Sequence, residues 1–181
     1  VYNYQENIMT NQTNNINNTN NINNTNHINQ TNHTNQTNHT NHINKTAIIT
    51  GASRGIGAAI AKKLASCGYN LSLCCRNSSD KLKALADELH CAYGIEVLCY
   101  TGNVGDFFFA KDMVAKTISH FGHIDVLINN AGISHIGLLS DMTPEEWNNI
   151  VAINLTGVFN FTKLVIPYMV ADKCGRIQQI S

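Results

Sequence analysis

The sequence has no excess of charge, few prolines and no long apolar run. Its 181 residues hold 12 lysines and arginines against 12 aspartates and glutamates, and two prolines. The charge balance argues against a basic nucleic-acid-binding module and against an acidic tail. No stretch approaches 18 consecutive apolar residues, and no secretory signal pattern stands at the amino end. We therefore expect neither a nucleic-acid partner nor a membrane span.

The cysteines follow neither a CxxC spacing nor a mixed cysteine and histidine ligand spacing. There are six, at positions 67, 74, 75, 91, 99 and 174. Scattered cysteines of this kind are typical of free thiols in a reducing compartment. The pattern predicts a cytoplasmic protein without a metal site.

The first 44 residues differ in composition from the rest. They contain no glycine, proline, lysine or arginine, and their one charged side chain is Glu6. An asparagine recurs at every third position from Asn11 to Asn44. Such a segment has too little apolar surface to offset the entropy of ordering, so residues 1–44 are predicted to be disordered. Assembly through asparagine-rich β-aggregation is one alternative; an in-frame DNA repeat or a start placed upstream of the true domain is another.

Residues 45–181 alternate between strand and helix patterns. Apolar residues at helical spacing predict four helices, two ended by Gly68 and Gly94 and two begun by Asp106 and Thr143. Short runs rich in β-branched and apolar residues predict strands at residues 45–50, 69–75, 95–101, 124–128 and 176–180. This alternation predicts a Rossmann-type, doubly wound parallel α/β sheet that binds its ligand at the carboxyl ends of the strands.

A glycine-rich turn joins the first predicted strand to the first helix. Residues 50–57 read TGASRGIG, with glycines at Gly51, Gly55 and Gly57. Such glycines allow a tight turn, close approach of the backbone to a pyrophosphate, and close packing of helix on sheet. Free N–H groups at the helix start attract phosphates. The context of strand, turn and helix predicts a dinucleotide site.

The end of the second predicted strand indicates the type of dinucleotide. Enzymes that use NAD carry an acidic residue about 20 positions beyond the glycines, where it binds the ribose 2′-hydroxyl. Here the residues are Cys75 and Arg76, with no acid. Arg76 and Arg54 could together bind a 2′-phosphate, so the sequence predicts NADPH. The alternative for Arg76 is a solvated loop arginine.

Four motifs together resemble the short-chain dehydrogenase/reductase family across residues 45–181. They are TGASRGIG, Asn103-Val104, the run NNAG at residues 129–132, and the run NLTG at residues 154–157. Within that family the chain is most similar to bacterial 3-oxoacyl-[acyl-carrier-protein] reductases. Residues 130–147 (NAGISHIGLLSDMTPEEW) are also similar to elongation factor P 5-aminopentanone reductases.

The resemblance implies a cofactor role for each matched residue. The phosphates and the adenosine ribose would lie against Gly51, Ala52, Ser53, Arg54 and Ile56. The adenine would lie between Asn103 and Val104. The nicotinamide ribose would pass Asn130, Ala131 and Gly132, and Asn130 would also tie neighbouring strands together.

The resemblance also implies a reaction, in which a hydride passes from nicotinamide to a ketone, either small or bound to a carrier protein. Asn154 matches the asparagine of the family's catalytic tetrad, which holds a water in the proton relay; alternatively, it is a helix asparagine bonded to a loop. Family members commonly form homotetramers through the long helix, here through residues 158–169.

The sequence departs from the family in its remaining catalytic residues. The resemblance implies that a tyrosine delivers the proton, that a lysine four positions later lowers the pKa of this tyrosine, and that a serine orients the carbonyl. None of the six tyrosines here has a lysine four positions later. By the family pattern Ser181 is either the neighbour of the catalytic serine or that serine itself. We therefore expect a sheet truncated after the fifth strand and a chain that is inactive alone. A non-catalytic dinucleotide-binding remnant is the competing hypothesis.

Overall fold

The computed structural model describes residues 44–180. The segment predicted to be disordered lies outside the described residues, apart from Asn44, and Ser181 lies outside them as well. The proposed division into residues 1–44 and 45–181 therefore stays a prediction.

Five parallel strands form one sheet in the order β3-β2-β1-β4-β5. They are β1 (Thr46–Ile49), β2 (Asn70–Cys75), β3 (Val97–Thr101), β4 (Val126–Asn129) and β5 (Arg176–Gln179). The chain steps outward from β1 to β3 and then returns to the other side of β1 with β4. This reversal opens a crevice beyond the carboxyl ends of β1 and β4. The predicted doubly wound parallel sheet is confirmed.

Helices cover both faces of the sheet. The helices are α1 (Gly55–Ser66), α2 (Ser79–Tyr93), α3 (Phe107–Phe121), α4 (Pro144–Val151) and α5 (Gly157–Ala171), with a 3₁₀ turn at Leu139–Asp141 and a π-helical segment at Ala152–Thr156. One apolar cluster joins α1 and α2 to the sheet around Leu71 and Leu89. A second joins α3 and α5 to the opposite face around Met113 and Phe161. These two clusters bury β1, β2 and most of β4, as the centre of a parallel sheet requires. The outer strands are less covered: β3 is partly buried and β5 is largely exposed.

The helix ends follow the local signals in the sequence. The Asp106 carboxylate accepts a hydrogen bond from the Phe108 amide at 2.8 Å. Thr143 and Glu146 form a reciprocal capping box at the start of α4. Gly94 ends α2 in the left-handed conformation, with φ of +67°. Each of these ends was predicted from the residue type alone.

Strand boundaries differ from the predictions where side chains replace backbone partners. β3 begins at Val97 rather than at residue 95, and the Ile95 carbonyl contacts the His90 ring at 2.8 Å. β4 begins at Val126 rather than at residue 124, and the preceding Asp125 carboxylate accepts a hydrogen bond from the Thr46 amide. Hydrophobic periodicity does not register such polar contacts, which join residues 5 positions apart in the first case and 79 positions apart in the second.

The helical region that begins at Pro144 is continuous to Ala171, through the π-helical segment. It is long and apolar enough to cross a membrane by length and composition. One face carries Phe161 and Val165, which are fully buried, and α5 packs against α3 and β4. The opposite face exposes apolar side chains, including Trp147, Leu155 and Phe159. Within the described residues, one face of this helix therefore packs in the core and the other face is exposed.

Candidate cofactor-binding site

A cleft of about 670 Å³ lies at the carboxyl ends of β1, β2, β3 and β4. A volume of this size falls within the range of small-molecule and cofactor pockets. Its walls are the loops that follow the four strands, together with the π-helical segment. The lining residues are Gly51, Ser53, Arg54, Gly55, Ile56, Cys74, Cys75, Arg76, Asn77, Ser78, Gly102, Asn103, Val104, Asn130, Ala131, Gly132, Ile133 and Ile153.

The glycine-rich turn forms the floor of this cleft. Gly51 and Gly55 have φ of +66° and +57°, a region that side chains disfavour. Gly57 faces Gly51, and a Cβ at Gly57 would lie 2.6 Å from the Asn130 amide nitrogen. The space between Gly57, Gly51 and Asn130 therefore has no room for a side chain at Gly57. The backbone of the turn is left exposed to a ligand in the cleft.

The start of α1 offers free backbone donors to the cleft. Its N-cap residue, Arg54, is extended and makes no side-chain cap, and the first turn holds no acidic residue. By contrast, α3 and α4 are capped by the side chains of Asp106 and Thr143. The first N–H groups of a helix need partners, and an anion can supply them. The uncapped start of α1 thus fits the diphosphate of a dinucleotide.

A hydrogen-bond network fixes the turn against the end of β4. The Thr50 hydroxyl accepts from the Asn130 and Ala131 amides, both at 3.0 Å. The Asn130 side chain donates to the carbonyls of Thr50 and Gly51, at 3.0 and 3.1 Å. These bonds link residues 79 to 81 positions apart in sequence. Asn130 ties the two strand ends together, which agrees with the expectation from the sequence.

Two arginines and no carboxylate are among the described residues that line the cleft. Arg54 and Arg76 are both exposed, and both line the cleft with Asn77 and Ser78. None of the cleft-lining side chains among residues 44–180 is acidic. A ribose 2′-phosphate needs positive charge and hydrogen-bond donors, whereas a 2′-hydroxyl is bound by a carboxylate. The charge of the lining therefore suits a 2′-phosphate.

The loop after β3 forms the wall beyond the arginines. Asn103 folds its side chain back to accept a hydrogen bond from the Gly105 amide at 3.0 Å. Val104 is buried, with its side chain against Gly157 of α5. This loop presents an apolar side chain and backbone groups to the cleft, which suits a flat aromatic base.

Ala52 and Gly57 lie beneath the cleft rather than on its surface. Both are buried, and the Ala52 amide donates to the Cys74 carbonyl at 2.9 Å. The structure brings together the other predicted cofactor residues, which are Gly51, Ser53, Arg54, Gly55, Ile56, Arg76, Asn103, Val104, Asn130, Ala131 and Gly132. Any influence of Ala52 and Gly57 on a ligand would pass through the shape of the turn.

Asn154 is bonded to a loop through both ends of its side chain. Its oxygen accepts from the Ile133 amide at 2.9 Å, and its nitrogen donates to the Ile133 carbonyl at 2.8 Å. These are the bonds of the loop-binding alternative named above. Ile133 and the neighbouring Ile153 line the cleft, so Asn154 holds one cleft wall to the helix. The other predicted catalytic residue, Ser181, lies outside the described part of the chain.

Cys74 and Cys75, at the end of β2, line the cleft, although the sequence did not predict this. Burial raises the pKa of the Cys74 thiol to about 12, and that of the nearby Cys99 thiol to about 11. Both thiols are neutral at physiological pH and are poor nucleophiles. Cys74 also belongs to the apolar cluster around Met113, and Cys99 packs against the cluster around Leu71.

Five other lining residues do not belong to any motif from which a cofactor role was predicted. Asn77 and Ser78 follow β2, Gly102 follows β3, and Ile133 and Ile153 are ordinary apolar residues. Their position just beyond the strand ends could have indicated Asn77, Ser78 and Gly102, because that edge is where doubly wound sheets bind ligands. Nothing local distinguishes Ile153, which reaches the cleft from a helix.

Comparison with known proteins identifies the family. A family model described as short chain dehydrogenase matches residues 45–181. The chain belongs to the short-chain dehydrogenase family. It is 42% identical over 131 residues to the 3-oxoacyl-[acyl-carrier-protein] reductase FabG of Staphylococcus epidermidis, covering 72% of this chain and 53% of that protein. This short-chain dehydrogenase chain thus spans about half the length of that relative.

Two solved short-chain dehydrogenase structures share its fold. One is a metagenomic short-chain oxidoreductase in complex with NADP, with a TM-score of 0.72 and 37% identity. It matches 76% of this chain and 62% of that one. The other is an alcohol dehydrogenase from Thermococcus sibiricus complexed with 5-hydroxy-NADP, with a TM-score of 0.70 and 35% identity over 75% of this chain and 57% of that one. These matches support the assignment of the sheet as a Rossmann fold.

Proposed function

We propose that this chain forms the NADPH-binding part of a reductase that converts a ketone into an alcohol. The observation that carries the proposal is the cleft itself, which combines a glycine turn, an uncapped helix start and two arginines without a carboxylate. The similarity to proteins in complex with NADP and 5-hydroxy-NADP supports the same cofactor.

The described residues would bind and orient the cofactor. The backbone of the turn from Gly51 to Gly55 would bind the diphosphate, and Arg54 with Arg76 would bind the 2′-phosphate. The nicotinamide end would lie against Asn130 and the loop that Asn154 fixes. Once bound, NADPH supplies the hydride, and the protein supplies its placement. The walls around the cleft would restrict the orientation of the cofactor.

The proposed substrate is a 3-oxoacyl group on a carrier protein. The 42% identity to a 3-oxoacyl-[acyl-carrier-protein] reductase supports it. The similarity of residues 130–147 to elongation factor P 5-aminopentanone reductases favours a second candidate, a ketone on modified elongation factor P. Reduction of one substrate and not the other by a version that carries the catalytic tyrosine and lysine would decide between them. The free cysteines agree with a cytoplasmic location for either reaction.

Removal of both cleft arginines tests the choice of cofactor. Replacing Arg54 and Arg76 with alanine should weaken NADPH binding by about 100-fold and NADH binding by less than about threefold, because only NADPH carries the phosphate they would bind. Calorimetric titration of each cofactor measures both effects. Lys62→Ala, which removes a surface cation paired with Glu88, is the control and should change neither affinity. Equal losses for the two cofactors would refute the role of the arginines.

We also propose that copies of this chain associate through the exposed apolar face of the long helix, with the exposed side chains of residues 158–169 forming part of the interface. Leu155 and Phe159 are 66% and 56% exposed on that face. Large exposed apolar patches mark association sites in soluble proteins. Replacing both with glutamate should lower the molar mass measured by light scattering to that of a monomer. Phe108→Glu, at an exposed position on α3, should leave the mass unchanged. An unaltered mass for the double variant would exclude this interface.

A further inference from the structure

A buried asparagine on α5 contacts the loop that forms the β3 wall of the cleft. Asn160 is 2% exposed, and its side-chain nitrogen donates to the carbonyls of Val104 and Gly105, at 3.1 and 3.2 Å. The partners lie more than 50 positions away in sequence. Asn160 does not line the cleft, yet it holds the backbone of a residue that does.

Two further contacts press the same loop against the helix. A Cβ at Gly157 would lie 2.8 Å from the Val104 Cγ2 atom, so the missing side chain makes room for Val104. A Cβ at Gly105 would lie 2.7 Å from the Ala152 carbonyl, so the loop backbone also meets the π-helical segment closely. The glycines permit this approach but do not fix the loop along the helix. The Gly102 amide anchors the start of the loop to the Cys75 carbonyl of β2, at 2.9 Å. Among the described hydrogen bonds, those of Asn160 are the ones that anchor its Val104 and Gly105 carbonyls to the helix.

We propose that Asn160 is a positioning residue for the adenine side of the cleft. It holds the Val104 and Gly105 carbonyls, so that Asn103 and Val104 stand at the right distance from the glycine turn to enclose the base. This inference rests on the proposed dinucleotide function and adds to it a residue outside the cleft. A dislodged loop would leave the phosphate-binding turn intact but would open the pocket for the adenine.

The test uses Asn160→Leu, which keeps a side chain of similar size and removes both N–H donors. The ligand is adenosine 2′,5′-bisphosphate, which contains the adenosine half of NADPH and no nicotinamide. We expect the variant to bind it about tenfold more weakly, because two buried carbonyls lose their donor. Thr162→Val is the matched control. Thr162 lies on the same helix as Asn160, and the substitution removes the hydrogen bond that Thr162 accepts from Asn129 of β4, at 3.2 Å, without changing a contact to the loop after β3. The control should retain full affinity.

A second variant provides a readout that a purely structural role would not move. In Asn160→Asp, a carboxylate would face two carbonyl oxygens, and burial would raise its pKa. Only the protonated acid can donate a hydrogen bond, so affinity for adenosine bisphosphate should rise as pH falls. The wild-type chain serves as the reference for the pH dependence of the ligand itself.

Hydrogen exchange of the Gly105 and Asp106 amides, measured without ligand, should speed up in Asn160→Leu.

The outcomes separate this inference from the proposed function. If the wild-type chain binds neither NADPH nor adenosine bisphosphate, the proposed function fails. If the wild type binds both and Asn160→Leu binds adenosine bisphosphate equally well, the positioning role is overturned. A loss of stability in Asn160→Leu and Thr162→Val alike, with unchanged affinity in their folded fractions, would also overturn it. Selective loss in the Asn160 variants, with pH-dependent recovery in Asn160→Asp, supports it.

Discussion

Replacing Gly57 with alanine should abolish measurable binding of NADPH. A Cβ at this position would meet the Gly51 carbonyl oxygen and would lie 2.6 Å from the Asn130 side-chain nitrogen. Neither group can move away cheaply. The Gly51 carbonyl accepts a hydrogen bond from Asn130, and Asn130 also donates to Thr50. The turn would be forced out of the conformation that presents its amides to the phosphates.

We expect the loss of affinity in Gly57→Ala to exceed about 100-fold, since several charge-assisted hydrogen bonds to the diphosphate would fail together. Calorimetric titration with NADPH measures the affinity, and far-ultraviolet circular dichroism measures retention of the fold. Gly68→Asn is the matched control. Gly68 has φ of +79° with open space around it, and asparagine tolerates that region. The control should bind NADPH normally; full affinity in a folded Gly57→Ala protein would contradict our account of the turn.

The sequence was sufficient to predict the architecture, because local patterns determine it. Helix starts at Asp106 and Thr143 were predicted from single side chains, and both make the expected caps. The glycine turn was predicted from three glycines between a strand and a helix. Such features depend on residues within a few positions of one another, which is the range over which periodicity and capping act.

Contacts between distant parts of the chain could not be predicted in the same way. The bonds of Asn160 to the loop after β3, and the placement of Ile153 in the cleft, depend on how α5 lies across the sheet. The exposure of Gln178 and Gln179, in the strand predicted at residues 176–180, is a further example. They are exposed because β5 is the edge strand among the described residues. Long-range packing and edge position are tertiary properties that residue type alone does not determine.

The second large effect concerns catalysis by the 181-residue chain alone. We expect it to bind NADPH and yet to leave NADPH unoxidised in the presence of a 3-oxoacyl carrier-protein thioester. The sequence contains no tyrosine followed four positions later by lysine. The family resemblance assigns proton delivery to the tyrosine and the lowering of its pKa to the lysine, and a positioned general acid contributes about 10²- to 10⁴-fold to the rate. The fall in NADPH absorbance with time is the measurement.

A fusion makes this prediction decisive. The chain would be extended beyond Ser181 with the corresponding carboxyl-terminal part of the Staphylococcus epidermidis relative, of which this chain covers 53%. The fusion should oxidise NADPH with the thioester at least about 100-fold faster than the chain alone, because the supplied segment would bring the acid to the cofactor. Changing its catalytic tyrosine to phenylalanine should remove the gain. Turnover by the chain alone at the rate of the fusion would contradict the assignment of the acid. A folded fusion that binds NADPH and reduces neither candidate ketone would contradict the reductase itself and would favour the non-catalytic remnant.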